Sequence, residues 1–363
     1  MNELLIRVFF GAVIAVWITA FTHAQRRNER AQKMNANGKV YAPMVTGYLL
    51  YIPLWLVIVP ILNLLLPFLS EAQLYAEFLT VVLTLTVYYM LLLPLSPLLR
   101  KRLSPVSCGA LWMLPNTLYI VRGFLKGPEL PRSIPLAERT VLLIGRVWLA
   151  GFGLILVYKL LEHLFFRRRV LRDAAEIGDE AVLTIWEEAQ DALGWRRYRL
   201  LRSPGVQTPL SIGFFTKTIC VLLPERNYTA PELRLIFRHE LIHIQREDCF
   251  LKFTMLFCCA MCWFNPLMWL AMRRCAEDVE LACDESVTER LDASARRRYA
   301  ELLLTTAGDA RGFSSCLSAS AMALRYRLQG VLRPGNRRLG SVFLGLCCFL
   351  LLVGFGLIQF SVQ

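Results

Sequence analysis

Histidine is scarce in this chain, with four in 363 residues, and acidic charge is thin: 28 Asp and Glu stand against 41 Lys and Arg. Charged residues of all kinds make up only 19%, while 56% are apolar. That shortage of charge excludes the pair of soluble domains a chain of this length could otherwise hold. Internal repeats and low-complexity segments are also missing. The basic excess does not gather into a separate basic domain, so no direct nucleic-acid binding is expected. It flanks apolar runs, as positive-inside topology requires. Eleven cysteines would staple a small secreted protein, but Cys258, Cys259, Cys262, Cys347 and Cys348 lie in or beside apolar runs and read as buried thiols.

What is present is a series of long apolar runs. The first, about Leu4 to Phe21, is followed by a basic cluster, which makes it a retained membrane helix and not a signal peptide. Others span about Met44 to Leu69, Phe78 to Leu99, Val106 to Phe124, Val141 to Leu161 and Leu339 to Phe360. The run at Val106 to Phe124 carries Pro115, Asn116 and Arg122 and is the weakest. It must nevertheless cross if Arg100 to Arg102 and Arg167 to Arg169 are to share the cytoplasmic side. The expected fold is therefore a multi-pass α-helical membrane protein with an inserted cytoplasmic α+β domain. Two N-terminal transmembrane helices fall in 1–70, three in 71–166, the cytoplasmic domain in 167–338 and a last transmembrane helix in 339–363.

Within 167–338 an amphipathic helix is expected from about Asp179 to a stop at Gly194. Strands are expected at RRYRLLRS and GFFTKTICVLLP, one of them an edge strand able to hold an extended peptide. The chemistry lies just after, at His239-Glu240-Leu241-Ile242-His243. On a helix, residues four apart share a face, so two imidazoles converge on one metal while Glu240 reaches the attacking water. Thr229 and Glu232 form a capping box for that helix, with Pro231 in its first turn. This is the pattern of a zinc metalloprotease.

Catalytic zinc takes three protein ligands and keeps one open position. No histidine follows His243, so a carboxylate must serve, and Glu277, Asp278, Glu280, Asp284 and Glu285 all remain candidates on spacing. The apolar stretch 250–272 intervenes and is long enough to span. Crossing would carry those acids away from the histidines, so Asn265-Pro266 is read as a turn between two membrane-associated helices.

The combination of HELIH with Trp263-Phe264-Asn265-Pro266-Leu267 and Glu280-Leu281-Ala282-Cys283-Asp284 resembles the BlaR/MecR-type antirepressor family of integral-membrane zinc metallopeptidases. Thr208 to Phe215, Leu222-Leu223-Pro224 and Tyr299-Ala300-Glu301 are similar as well, and the resemblance runs from about Leu98 onward. It implies a gluzincin-type domain that binds Zn2+ through His239, His243 and Glu280, with Glu240 as the catalytic base and Asp284 orienting a liganding histidine. It further implies a protein or peptide substrate such as a transcriptional repressor, a cell-membrane location with the protease domain in the cytoplasm, and regulatory proteolysis in signal transduction. The penicillin-binding sensor domain of the family's beta-lactam receptors is expected to be lacking, and the first two helices to be extra. The rival readings are a housekeeping or prenyl-protein-type membrane protease and a noncatalytic zinc-binding membrane sensor. Tyr299 and a nearby arginine are candidate oxyanion donors, with a buried tyrosine and a solvated basic run as the favoured readings of each, and an oligomer is allowed.

Overall fold

The computed structural model describes residues 8–9, 11–20, 70–121, 133–191, 197–214, 216–289, 291–306, 321–333, 340–355 and 357–363. The run expected at Met44 to Leu69, His23 and Gly194 lie outside the described residues. A short apolar helix α1, Gly11–Ala20, comes first. It is followed by α2 (Glu71–Arg102), α3 (Pro105–Met113), β1 (Ser133–Leu136) and α4 (Glu138–Arg172). Then come β2 (Ala175–Glu176), α5 (Glu180–Asp191), β3 (Arg199–Arg202), β4 (Leu210–Ile212), β5 (Cys220–Leu223) and α6 (Ala230–Gln245). The remainder is α7 (Asp248–Met261), α8 (Pro266–Thr288), α9 (Ala293–Thr306), α10 (Ala321–Leu332), α11 (Ser341–Gly354) and β6 (Gln359–Val362).

Helices α2 and α4 are each long and apolar enough to cross a bilayer. Helix α4 presents Leu143, Leu149, Leu154, Val157, Leu161 and Phe165 outward, an apolar surface that lipid matches and water does not. The N-terminal halves of the two helices pack together through Phe78 and Tyr75 against Trp148. Both end in basic residues, Arg100 to Arg102 and Arg169 with Arg172.

The run at Val106 to Phe124 is broken among its described residues. Helix α3 gives way to a 3-10 turn at Leu114–Thr117 and then one helical turn, Leu118–Val121. Pro115 has no N–H to offer the carbonyl of Leu111, and the Tyr88 hydroxyl donates to that carbonyl at 2.9 Å. The Tyr89 hydroxyl donates to the next carbonyl, Trp112, at 2.9 Å, and Asn116 donates to Tyr89. The carbonyls at this break and the Asn116 amide N–H thus find partners inside the bundle.

The apolar stretch after α6 is a hairpin. Asn265 caps α8 by accepting from the Leu267 N–H at 3.0 Å, and its amide donates to Thr86 of α2 at 2.9 Å. Trp263 packs on Gly151 of α4, where a Cβ would meet the indole at 2.4 Å. The WFNP segment therefore pins the hairpin tip between α2 and α4, and α8 returns alongside α7.

A four-stranded sheet of order β2-β3-β5-β4 stands beyond the basic end of α4, with β3 and β5 parallel and the outer pairs antiparallel. One face packs through Leu200, Val221 and Leu223 on α5 and α6, the other through Leu201, Leu222 and Ile212 on Val170 of α4. The strand expected at GFFTKTICVLLP is confined to Cys220–Leu223. Since β3 and β5 both lie inside the sheet, neither expected strand is an edge strand, and the edges fall to β2 and β4. Gly213 adopts φ +124°, and a Cβ there would meet the Thr218 carbonyl oxygen at 2.4 Å, so the chain turns between β4 and β5. The last apolar run is also shorter than the expected spanning helix. Helix α11 ends at Gly354, and β6 then pairs in parallel with β1. At 1.5 Å per residue its 14 residues fall short of the roughly 20 that span a hydrocarbon core.

Candidate active site

Helix α6 starts as its sequence requires, with the Glu232 carboxylate accepting from the Thr229 N–H at 2.7 Å. Leu233, Ile236, Phe237 and Leu241 bury one face against Trp186 and the sheet. That packing leaves His239 and His243 side by side, with their Nε2 atoms 3.1 Å apart.

What fixes each ring is the partner of its other nitrogen. Glu247 takes the left-handed conformation, φ 55°, and reverses the chain so that α7 opens with Asp248. The Asp248 carboxylate lies 2.6 Å from His243 Nδ1. On His239, Nδ1 lies 2.9 Å from the Tyr299 hydroxyl, which itself donates to Asp284 Oδ1 at 2.7 Å. Burial, then the nearby Asp284, raises the Tyr299 phenol well above its usual range, so it keeps its single proton and gives it to Asp284. Its oxygen then accepts Nδ1–H. Both rings therefore carry hydrogen on Nδ1 and aim Nε2 lone pairs at one another, an arrangement that a shared cation relieves. Without one, a single proton serves the pair. Burial, and then His243, lowers His239 to about 3. For His243 burial opposes the charge, but Cys283, Glu280 and Asp248 outweigh it and raise its pKa well above the ordinary value.

Helix α8 returns Glu280 to this point. Its Oε2 lies 3.8 Å from His239 Nε2 and 3.6 Å from His243 Nε2. Donors bound to one tetrahedral zinc at ~2.0–2.2 Å stand roughly 3.2–3.6 Å from each other. The triangle of 3.1, 3.6 and 3.8 Å comes within about 0.2 Å of that spacing on every side. A second donor set, His239, His243 and Cys283, also lies close, within 4.8 Å. However, Cys283 Sγ sits 3.3 Å from Nδ1 of His239, the nitrogen already bound to Tyr299, whereas Glu280 faces both Nε2 atoms. Burial opposes ionisation of Glu280, but His243, Lys252 and Arg327 overcome it and hold its pKa well below the usual range.

Glu240 is buried, and Ser211 of β4, an edge strand of the sheet, hydrogen-bonds to it. Burial, then His243 and Glu280 in opposition to one another, sets its affinity for a proton, and the outcome is a raised pKa. That makes it a stronger base than a solvated glutamate.

Of the five acidic candidates on α8, Glu277 and Asp278 are drawn to Arg100 of α2, at 3.0 and 2.8 Å, and Trp112 donates to Asp278 at 2.8 Å. Asp284 stands 3.7 Å from His239 Nδ1 and reaches it through Tyr299. With its hydroxyl so engaged and its side chain buried, Tyr299 is not an oxyanion donor. His163 lies edge-on to Phe214, 5.7 Å between ring centres. Sequence reasoning missed Asp248, Lys252 and Arg327. Lys252 lies 3.3 Å from Glu280 Oε1, and Arg327 pairs with Asp284 at 2.7 and 2.8 Å. Asp248 carried a readable signal, since it lies five residues after His243. Arg325-Tyr326-Arg327, a basic stretch ahead of the last apolar run, lies on α10.

Over 182 residues, half of this chain, the sequence is 24% identical to the Regulatory protein BlaR1 of Bacillus licheniformis, and the match covers 30% of that protein's length. The profile of a family described as BlaR1 peptidase M56 matches residues 54–330. The match begins inside the Met44 to Leu69 run, upstream of the Leu98 limit read from motifs, so part of that run lies within the family region. A match over more than half the chain, taken with the HELIH helix and its returning carboxylate, places this protein in the BlaR1 peptidase M56 family.

Proposed function

We propose that this protein is a multi-pass membrane zinc metalloendopeptidase that hydrolyses peptide bonds at the cytoplasmic face of the cell membrane, in regulatory proteolysis of a repressor-type protein. The observation that carries the enzymatic reading is the convergence of His239 Nε2, His243 Nε2 and Glu280 Oε2 beside the buried Glu240. These three side chains would hold the ion, Asp248 would orient His243, and Tyr299 with Asp284 would orient His239. A zinc ion held there acidifies water and polarises the scissile carbonyl. Glu240 takes the proton of the attacking water and passes it to the departing amine. Strand β4 offers its outer edge to an extended peptide, with Ser211 beside Glu240. The regulatory role rests on membership of the family and on the relative's description as a regulatory protein. The membrane arrangement rests on α2 and α4 and on the basic residues at their ends.

The test is zinc content and cleavage by purified protein in detergent, against proteins that accumulate in cells carrying Glu240→Gln. Glu240→Gln should keep stoichiometric zinc and lose cleavage by about 100-fold or more. Zinc retained in every variant with no cleavage by the unaltered protein would favour a noncatalytic sensor instead.

A further inference from the structure

Arg327 reaches the site from α10, far along the chain from the histidines. Its Nε and Nη2 donate to the two oxygens of Asp284 at 2.7 and 2.8 Å, a fork-on-carboxylate pairing that fixes the plane of the acid. Its Nη1 lies 3.5 Å from Glu280 Oε2. The oxygen of Asp284 that receives Nη2 is the same oxygen that receives the Tyr299 hydroxyl. One guanidinium thus touches the carboxylate that faces both Nε2 atoms and the carboxylate that acts on His239 through Tyr299. Its neighbour Tyr326 places its ring 5.5 Å from the Arg100 guanidinium, so α10 is fastened to the end of α2 as well.

We propose that Arg327 is a positioning residue for the metal site: through its paired bonds to Asp284 and its reach to Glu280, it sets the separation of those two carboxylates and thereby the orientation of His239. This rests on the zinc reading above. A generic surface ion pair would not need a planar, two-pronged donor, and it would not lie on the ligand side of α8. Lysine at this position keeps the charge but cannot hold both oxygens of Asp284 in one plane.

The experiment uses full-length protein in detergent, with Arg327→Met, Arg327→Lys and Tyr299→Phe beside the unaltered chain. Zinc affinity is read by chelator competition and site geometry by the visible spectrum of the Co2+-loaded protein. Arg327→Met should bind zinc about 10–100-fold more weakly, as loss of an outer hydrogen-bonding partner does, and should alter the Co2+ spectrum. Arg327→Lys should recover only part of the affinity. In turnover the loss should fall on kcat, with KM little changed. Tyr299→Phe removes one hydroxyl without changing shape, and it decides the matter if Arg327→Met fails to fold: it should alter the Co2+ spectrum in the same direction. Affinities within twofold of the unaltered protein and an unchanged spectrum in both Arg327→Lys and Tyr299→Phe would overturn the positioning role while leaving the zinc reading intact. Failure of the unaltered protein to bind either metal would remove both.

Discussion

Helix α8 carries two acidic pairs, each gripped by an arginine, and the contrast between them explains where the chemistry sits. Glu277 and Asp278 meet Arg100 at the end of α2, walled in by Trp112 and apolar residues of α2 and α3. Glu280 and Asp284 meet Arg327, but two imidazoles and Lys252 face them too. Burial dominates at Asp278, lifting it to about 6 against the pull of Arg100 and Trp112. At Glu280, His243, Lys252 and Arg327 overcome burial and keep the carboxylate charged. Glu277, Glu280 and Asp284 stand at positions i, i+3 and i+7 and so project from much the same side of α8. Height along the helix separates them: Arg100 takes the acid nearer the hairpin and leaves the next one for the histidines.

The sharpest break of this contrast truncates each of the two glutamates in turn. Glu280→Ala should abolish stoichiometric zinc and cleavage, whereas Glu277→Ala should hold zinc within about twofold and lose about 3 kcal/mol of stability, since it leaves buried Arg100 half-paired. Metal analysis and denaturant titration on the same preparations separate the outcomes, and equal zinc in both variants would sink the assignment of Glu280. Arg100→Met comes next. Leaving buried Asp278 without its cation, while Glu277 keeps Arg274 at 2.9 Å, should cost about 3 kcal/mol while the metal remains at one per chain. A third effect is pH. In the metal-free protein the second ring proton of His243 is held with a pKa well above the ordinary value, while His239, lowered to about 3, is neutral at neutral pH. Zinc must displace the His243 proton, so affinity should rise about tenfold per unit as pH increases, levelling above the pKa of that proton. Chelator competition across pH 6 to 9, roughly the range in which zinc proteins are handled, measures it. A flat profile would contradict the shared-proton arrangement.

The half of the proposed site confined to one helix was legible in the sequence as a geometry. His239, Glu240 and His243 follow from four-residue spacing, and Thr229 and Glu232 mark where that spacing starts. The hairpin at Asn265-Pro266 was also legible, because proline and a capping side chain act locally. Tyr299 was marked by resemblance but its contacts were not legible, and Arg327 was not marked as part of the site, since their roles depend on how α9 and α10 pack on α8, and nothing in a basic or aromatic residue's own neighbours announces such a partner. Spacing along α8 could not choose Glu280 over Glu277, because the choice is made by Arg100 from another helix. The strand boundary at Gly213 and the helix end at Gly354 were missed because apolar runs continue through both. In such runs hydropathy does not distinguish helix from strand.

Glu247, left-handed at the joint between α6 and α7, gives the site a conformational economy of its own. A residue with a side chain is strained there by roughly 1 kcal/mol, and glycine would remove that strain while widening the set of shapes open to the unfolded chain by a similar free energy. Glu247→Gly should therefore leave overall stability within about 1 kcal/mol yet loosen the angle between the two helices. Asp248 would then be tethered to His243 through a softer hinge, and zinc should leave faster from a protein that melts where it always did. Stopped-flow release of zinc to a chelator, set beside a melting curve, would read the two quantities separately.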